Sequence, residues 1–507
     1  MSDTATQRSS SGVISQIGVS RPPLEVTDLP TPEEVWGVSH VGRREILKYA
    51  VGPSLIALGV AIGSGEWLLG PLSVGKFGFI GIGWIVTVSV ILQTIYNVEI
   101  ARYTIATGEV PVVGFARVPP GRALWIPLSL FAIFSAFILG GWAKGAAKGL
   151  FALMNGNPPV AGTADDGQVK ILTFILLAAV LLLALAFRRI TRGLELINGV
   201  FIAAQIGFLF IVAVAIVPLD VWSEAFRGFV IPKKPPSGAS ATDLGGLVGF
   251  SALAAGLNWF FLNHYRDKGY GMGYRVGFIA GARGEQEKVR DHGFVFPDNE
   301  RNTAVWRRWM RLLYVDMWGI FLTGAMVGML LPTVIMRHLT LTSGQQPEAA
   351  TIETFAATIL GQEYGRTVFY LTLFVGFLIL FDTQVGIFES LVRNATDAAN
   401  VSPRIQALTG GDIRRFYFAF MVVLLVVIGY ITTLSQPATL IQTSANMSNA
   451  GALIFPFALV YLNRRLPKAA RPPKWTYLGL AFNVVFFGFF FFNFLAEKLG
   501  GSPLVTF

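Results

Sequence analysis

Apolar windows long enough to cross a bilayer recur eleven times along the chain, over about 46–75, 79–106, 124–153, 169–187, 194–217, 244–265, 305–335, 366–393, 412–434, 437–462 and 475–498. A membrane-spanning helix needs about 20 mostly apolar residues, and short polar or charged connections separate these windows. Buried core helices of a soluble domain would be shorter and amphipathic. The pattern therefore predicts an all-α polytopic membrane protein with eleven spans, numbered here in chain order. An odd number of spans puts the two ends of the chain on opposite faces.

Composition and charge fix which face is which. Hydrophobic residues make up 53% of the 507 and charged residues only 14%, against about 25% charged in soluble domains. The formal net charge is +10. Basic residues fall between the apolar windows, so the charge reads as topology and no nucleic-acid partner is expected. Of the 40 Lys and Arg, 30 are assigned to the N-terminus and the even connections with the span ends beside them, including Arg188, Arg189, Arg192, the 266–311 region, Arg464, Arg465, Lys468, Arg471 and Lys474, and the other 10 lie at or near the opposite face. By the positive-inside rule the N-terminus is cytoplasmic and the C-terminus outside, in a plasma or inner membrane. Residues 1–44 contain Pro22, Pro23, Pro30 and Pro32 and lack an apolar h-region, so they are expected to form a flexible cytoplasmic tail with no cleavable signal peptide. The 266–304 connection is expected to form a structured clasp or gate.

Two spans are poor continuous helices. Span 1 opens with Gly52, Pro53 and Ser54, and carries Gly63, Ser64, Gly65, Glu66 and Trp67 near its middle. Glycine leaves the backbone unshielded, and a carboxylate at bilayer depth costs roughly 2.5 kcal/mol or more unless it meets a partner or a wet cavity. Span 6 carries Gly245, Gly246 and Gly249, then Ala254, Ala255, Gly256, Leu257 and Asn258. Gly-interrupted spans at corresponding positions of two halves point to inverted repeats, with a binding site at the paired breaks, where freed carbonyls and a fresh helix N-terminus face a ligand. The alternative is that these glycines serve close helix packing.

At these residues the chain resembles the Nramp family of proton-coupled divalent-metal transporters, over roughly residues 45–465. The resemblance rests on the eleven spans, the Gly52-Pro53 opening of span 1, the interrupted spans 1 and 6, and Phe455-Pro456-Phe457-Ala458 in span 10. Gly63-Ser64-Gly65-Glu66-Trp67 and Lys268-Gly269-Tyr270-Gly271-Met272-Gly273 mark a divergent branch. It implies a LeuT-type fold of two inverted five-helix repeats, 45–217 and 244–462, with an eleventh transmembrane helix within 475–507. Metal-transporting members carry Asp-Pro-Gly-Asn in the first break, where this chain has Gly63, Ser64, Gly65 and Glu66. Their Met-Pro-His in the sixth span corresponds to Ala255, Gly256 and Leu257, followed by Asn258. Trp142 stands where they place an acidic residue of the proton path in span 3. The soft sulfur and the imidazole are lost, and Glu66 is the one charged candidate for a metal at the breaks.

Further residues extend the candidate site. Asn446 and Asn449 share a face of span 10 and could offer carbonyl oxygens to a ligand. Asp382 and Gln384 in span 8 could line a pathway. Glu389 lies two turns beyond Asp382 and is placed to pair with Arg393. Lys144 and Lys148 either snorkel to the interface or replace a coupling cation. His264, at the inner edge of span 6, is expected to be a capping or loop residue rather than a proton relay.

With no Cys, and four His at 40, 264, 292 and 338, no catalytic constellation forms and no cofactor is called for. The sequence thus predicts a secondary transporter of a cation, hard or hydrated divalent metals included but without a Mn- or Fe-type site. The alternatives are a transporter of a small organic cation or zwitterion, and a non-transporting membrane sensor or scaffold. The expected partners are a small ion or solute and the lipid bilayer, and a monomer suffices.

Overall fold

The computed structural model describes residues 24–46, 54, 58–59, 61–63, 65–186, 190–253, 256–277, 290, 292–502 and 504–507. Ser64, Ala254 and Ala255 of the expected breaks, Gly52 and Pro53, and Arg188 and Arg189 lie outside the described residues. The structure is all-α apart from one two-residue parallel strand pair.

Nine helical stretches among the described residues are long and apolar enough to cross a membrane. They coincide with spans 2 to 5 and 7 to 11. Spans 1 and 6 are not in that set: only part of span 1 lies among the described residues, and the described helical pieces of span 6 are short. Span 6 is divided into Ala241–Gly249 and Trp259–Asp267, with residues 250–253 and 256–258 between them non-helical. In span 1, Ile62 and Gly63 form a turn, after which the chain resumes as a π-helix, Gly65–Leu69, and an α-helix, Gly70–Phe77.

Two further irregularities were not expected. Span 3 is divided into Arg122–Phe137 and Gly141–Asn155, with Gly140 at φ 66° between them. Glycine takes this left-handed conformation without a Cβ penalty. Span 7 runs from Glu300 to Ser343 and contains a π-helical stretch, Val315–Phe321. Such stretches are often found at functional sites.

Side-chain contacts sort the connections onto two faces. On the near face, Glu25–Val26 pairs in parallel with Phe294–Val295. Trp309 donates its Nε1–H to the Pro30 carbonyl at 2.8 Å, and Trp36 packs edge-on against Tyr270 and Trp309. Residues 24–36 are therefore pinned rather than flexible. Pro30 supplies an acceptor, and Pro32 stands in the first turn of the Pro32–Trp36 helix, where its missing N–H costs nothing. On the far face, Glu224 accepts from Phe79 N and pairs with Arg337, and Thr506 bridges to Ser240.

Candidate functional site

The breaks in spans 1 and 6 meet. The Glu66 carboxylate, fully buried, accepts the Ala252 N–H through Oε1 at 2.9 Å, while its Oε2 has no hydrogen-bond partner among the described residues. Two glycines permit the approach. A Cβ on Gly65 would overlap the Phe250 carbonyl oxygen, and one on Gly63 would overlap the Thr383 side chain of span 8. The π-helical turn at Gly65–Leu69 starts one residue before Glu66 and carries it into the junction.

Span 2 holds the unwound part of span 6 open. Gln93 donates from Nε2 to the Ser251 carbonyl at 2.6 Å and accepts the Leu253 N–H through Oε1 at 3.0 Å. Ser89, one turn earlier, donates to the Val248 carbonyl at 2.8 Å. Backbone groups released from a helix in lipid must find partners, and these two side chains supply them. Sequence reasoning missed both residues. The available signal was a Ser and a Gln at i and i+4 inside an otherwise apolar span.

Aromatic rings wall the junction. Phe250 stacks on Phe137, the last residue of the first half of span 3, with ring centroids 5.8 Å apart, and lies 5.8 Å from Trp142. The division of span 3 at Ile138–Gly140 places Phe137 and Trp142 against the same ring. Trp142, expected on the pathway in span 3, packs against Phe250 and is fully buried.

The other expected residues divide into two groups. Gly256 packs toward Ile133 and Phe137, Leu257 and Asn258 are buried beside it, and Gly63, Gly65 and Glu66 form the opposing edge. Gln384 joins span 8 to the second half of span 3 by accepting the Ala143 N–H at 3.2 Å, and Asp382 is buried two residues before it.

The second group serves other contacts. Asn446 donates to the Thr242 and Gln442 carbonyls and Asn449 to the Gly245 carbonyl, clamping span 10 to the first half of span 6. Lys144 donates to the Ser435 carbonyl at 2.8 Å, and Lys148 to the Ala350 carbonyl at 2.8 Å with Glu353 3.5 Å away. Both lysines are tied to far-face connections and do not reach the break.

The near side of the junction is closed by charge. Arg393 pairs with both Glu389 and Asp267, while Arg266 pairs with Asp397 at 2.6 Å and Asp267 at 3.2 Å, all buried. This cluster ties the end of span 6 to span 8. Tyr265 donates to Asp316 in the π-helical stretch of span 7, and Ser54 of span 1 donates to the Asp316 carbonyl. His264 is not a cap. It is fully buried within Trp259–Asp267, its ring edge-on to Phe260 at 4.6 Å. Among the described residues no three of His, Cys, Asp and Glu are grouped to hold a metal ion.

No protein-family profile matches the sequence, and no curated protein matches it. Solved structures do. Two single-residue mutants of the Eremococcus coleocola manganese transporter superpose with TM-scores of 0.60 and 0.58 at 16% identity, covering 95% of this chain and 92% of theirs. The same transporter in complex with an aromatic bis-isothiourea compound gives 0.57 at 15% identity, covering 94% and 91%. The fold is Nramp-like. It is the LeuT-type arrangement of an all-α polytopic membrane protein.

Proposed function

We propose that the chain is a secondary transporter working by alternating access, with a small cation as cargo at the junction of spans 1 and 6. The observation that carries this reading is the buried Glu66 carboxylate, one oxygen held by Ala252 N and the other without a hydrogen-bond partner among the described residues. A buried charge in a membrane needs compensation, and a cation at Oε2 supplies it. Arg266 and Arg393 with their acids would form a gate on the near face, which the positive-inside argument makes cytoplasmic.

The structural neighbours are described as manganese transporters, which favours a divalent ion within the cation class. The ligand set favours a hard or hydrated one. Carboxylate, amide and carbonyl oxygens suit ions that keep part of their water shell, and at the described positions 256–258 of the span 6 break neither a sulfur nor an imidazole replaces them. A second reading is an organic ammonium ion, favoured by the rings of Phe137, Trp142 and Phe250 near the carboxylate, since aromatic faces attract cations.

Reconstitution into liposomes tests the proposal. Uptake of one member of a panel of Mg²⁺, Ca²⁺ and small ammonium compounds should exceed that of empty liposomes and fall to background in Glu66→Gln. Uptake unchanged by that substitution would remove Glu66 from the site.

A further inference from the structure

Away from the junction, a crevice of about 910 Å³ opens between the first half of span 3, the near-face end of span 8 and the start of span 9, with the Pro403–Leu408 helix beside it. Its walls are hydrocarbon, with Leu130, Phe131, Phe134 and Phe420 prominent. Phe131 is 63% exposed in a stretch of helix that crosses the membrane, so acyl chains reach this wall. The charged residues of the lining are Arg122 and Arg404, both exposed and both at the near-face end. Among the described residues no carboxylate lines the crevice. The Asp412 carboxylate, just before span 9, is bound by Arg414 at 3.0 Å.

We propose that this crevice is a binding site for one anionic phospholipid. Guanidinium groups bind phosphate through paired charge-assisted hydrogen bonds, and two of them at one end of an apolar slot match a headgroup with a chain below it. Basic pockets between membrane helices are suited to such headgroups. The position gives the lipid a consequence. The first half of span 3 ends at Phe137, against Phe250 and Trp142, and the near-face end of span 8 carries Arg393 and Asp397 of the charge cluster. A lipid spanning both elements favours the closed near face. The inference stands on residues separate from the proposed cargo site.

The test is native mass spectrometry of the purified full chain with phosphatidylglycerol or phosphatidylcholine, together with photolabelling by phosphatidylglycerol bearing a reactive acyl chain. About tenfold preferential retention of phosphatidylglycerol is expected. It should be lost in Arg122→Gln/Arg404→Gln and kept in Arg43→Gln/Arg44→Gln, a near-face pair outside the crevice. The wild-type photolabel, which does not depend on how the variants fold, should fall on peptides containing Phe131, Phe134 or Phe420. Equal retention of the two lipids, labelling confined to other segments, or displacement by inorganic phosphate at the lipid's own concentration would each overturn the proposal. The last result would mark a simple anion site.

Discussion

Glu66 and Ala252, 186 positions apart in sequence, are joined by a 2.9 Å hydrogen bond between a buried carboxylate and a backbone N–H. The bond links the two interrupted spans and separates two roles of one side chain. In Glu66→Gln the amide oxygen still accepts from Ala252, so stability should change little while cation uptake is lost. In Glu66→Ala the Ala252 N–H is orphaned, at a cost of about 1–3 kcal/mol. Thermal melting beside uptake checks the split. Equal destabilisation by both substitutions would show that the charge itself holds the fold.

Gly63 and Gly65 should respond differently to an added methyl group. At Gly63 the obstacle is the Thr383 side chain, whereas at Gly65 it is the Phe250 carbonyl. Gly63→Ala should therefore lose uptake and recover part of it in the Gly63→Ala/Thr383→Ala background, where the overlapping hydroxyl and methyl have both been removed. Gly65→Ala should lose uptake with no side-chain rescue, because the backbone of span 6 has to move. Rescue of Gly65→Ala by Thr383→Ala would contradict this packing.

Which parts of this arrangement the sequence revealed follows from how local each signal is. Hydropathy alone locates the spans, since each must fill the bilayer by itself. Clustered glycines with Glu66, and with Asn258, mark the two breaks in the same local way. The division of span 3 was missed, although Gly140 and Gly141 adjoin, because the surrounding run is apolar enough to conceal it. Gln93 and the two lysines were beyond reach for another reason. Their partners, Ser251, Leu253, Ser435 and Ala350, are set by tertiary contacts across the molecule. The pinned residues 24–36 misled in the opposite sense. Their prolines suggest disorder, yet Pro30 and Pro32 are used for an acceptor and a helix start.

Gln93 should matter as much to uptake as a residue of the cargo site while its hydrogen bonds to span 6 are to backbone alone. Gln93→Leu leaves the Ser251 carbonyl and the Leu253 N–H without their bonds, at about 1–3 kcal/mol for each orphaned group. The unwound segment should then exchange its amide protons faster and uptake should fall, with Gln93→Glu weaker in effect than Gln93→Leu because it retains the acceptor for Leu253. Hydrogen exchange across residues 248–258 reads this directly. Unchanged exchange in Gln93→Leu would mean that span 6 stays open without span 2.

The sidedness of the molecule is testable because the chain contains no cysteine. Asp298 is exposed on the connection that meets the N-terminal segment, and Gly162 is exposed between spans 3 and 4. Asp298→Cys should resist an impermeant maleimide in intact cells and react after permeabilisation, whereas Gly162→Cys should react in both. The reverse pattern would place the near face outside and invert the direction in which the proposed gate opens.

The sharpest disagreement between the fold and the residues concerns metal. The fold is shared with proteins described as manganese transporters, yet no three His, Cys, Asp or Glu among the described residues come together. Replacing most of the water shell of Mn²⁺ takes several donors, and selectivity among first-row metals comes from ligand type and geometry. A single buried carboxylate with amide and carbonyl oxygens is a weak site for such an ion. Calorimetry of the purified protein should therefore detect no micromolar binding of Mn²⁺ or Cd²⁺. Cd²⁺ is the stronger probe, because it would also report a soft donor such as the Met329 sulfur, which packs beside Gly70 of span 1. Micromolar Cd²⁺ binding that disappears in Glu66→Gln would instead show that this junction completes a transition-metal site, and the cargo would then have to be sought among the soft cations.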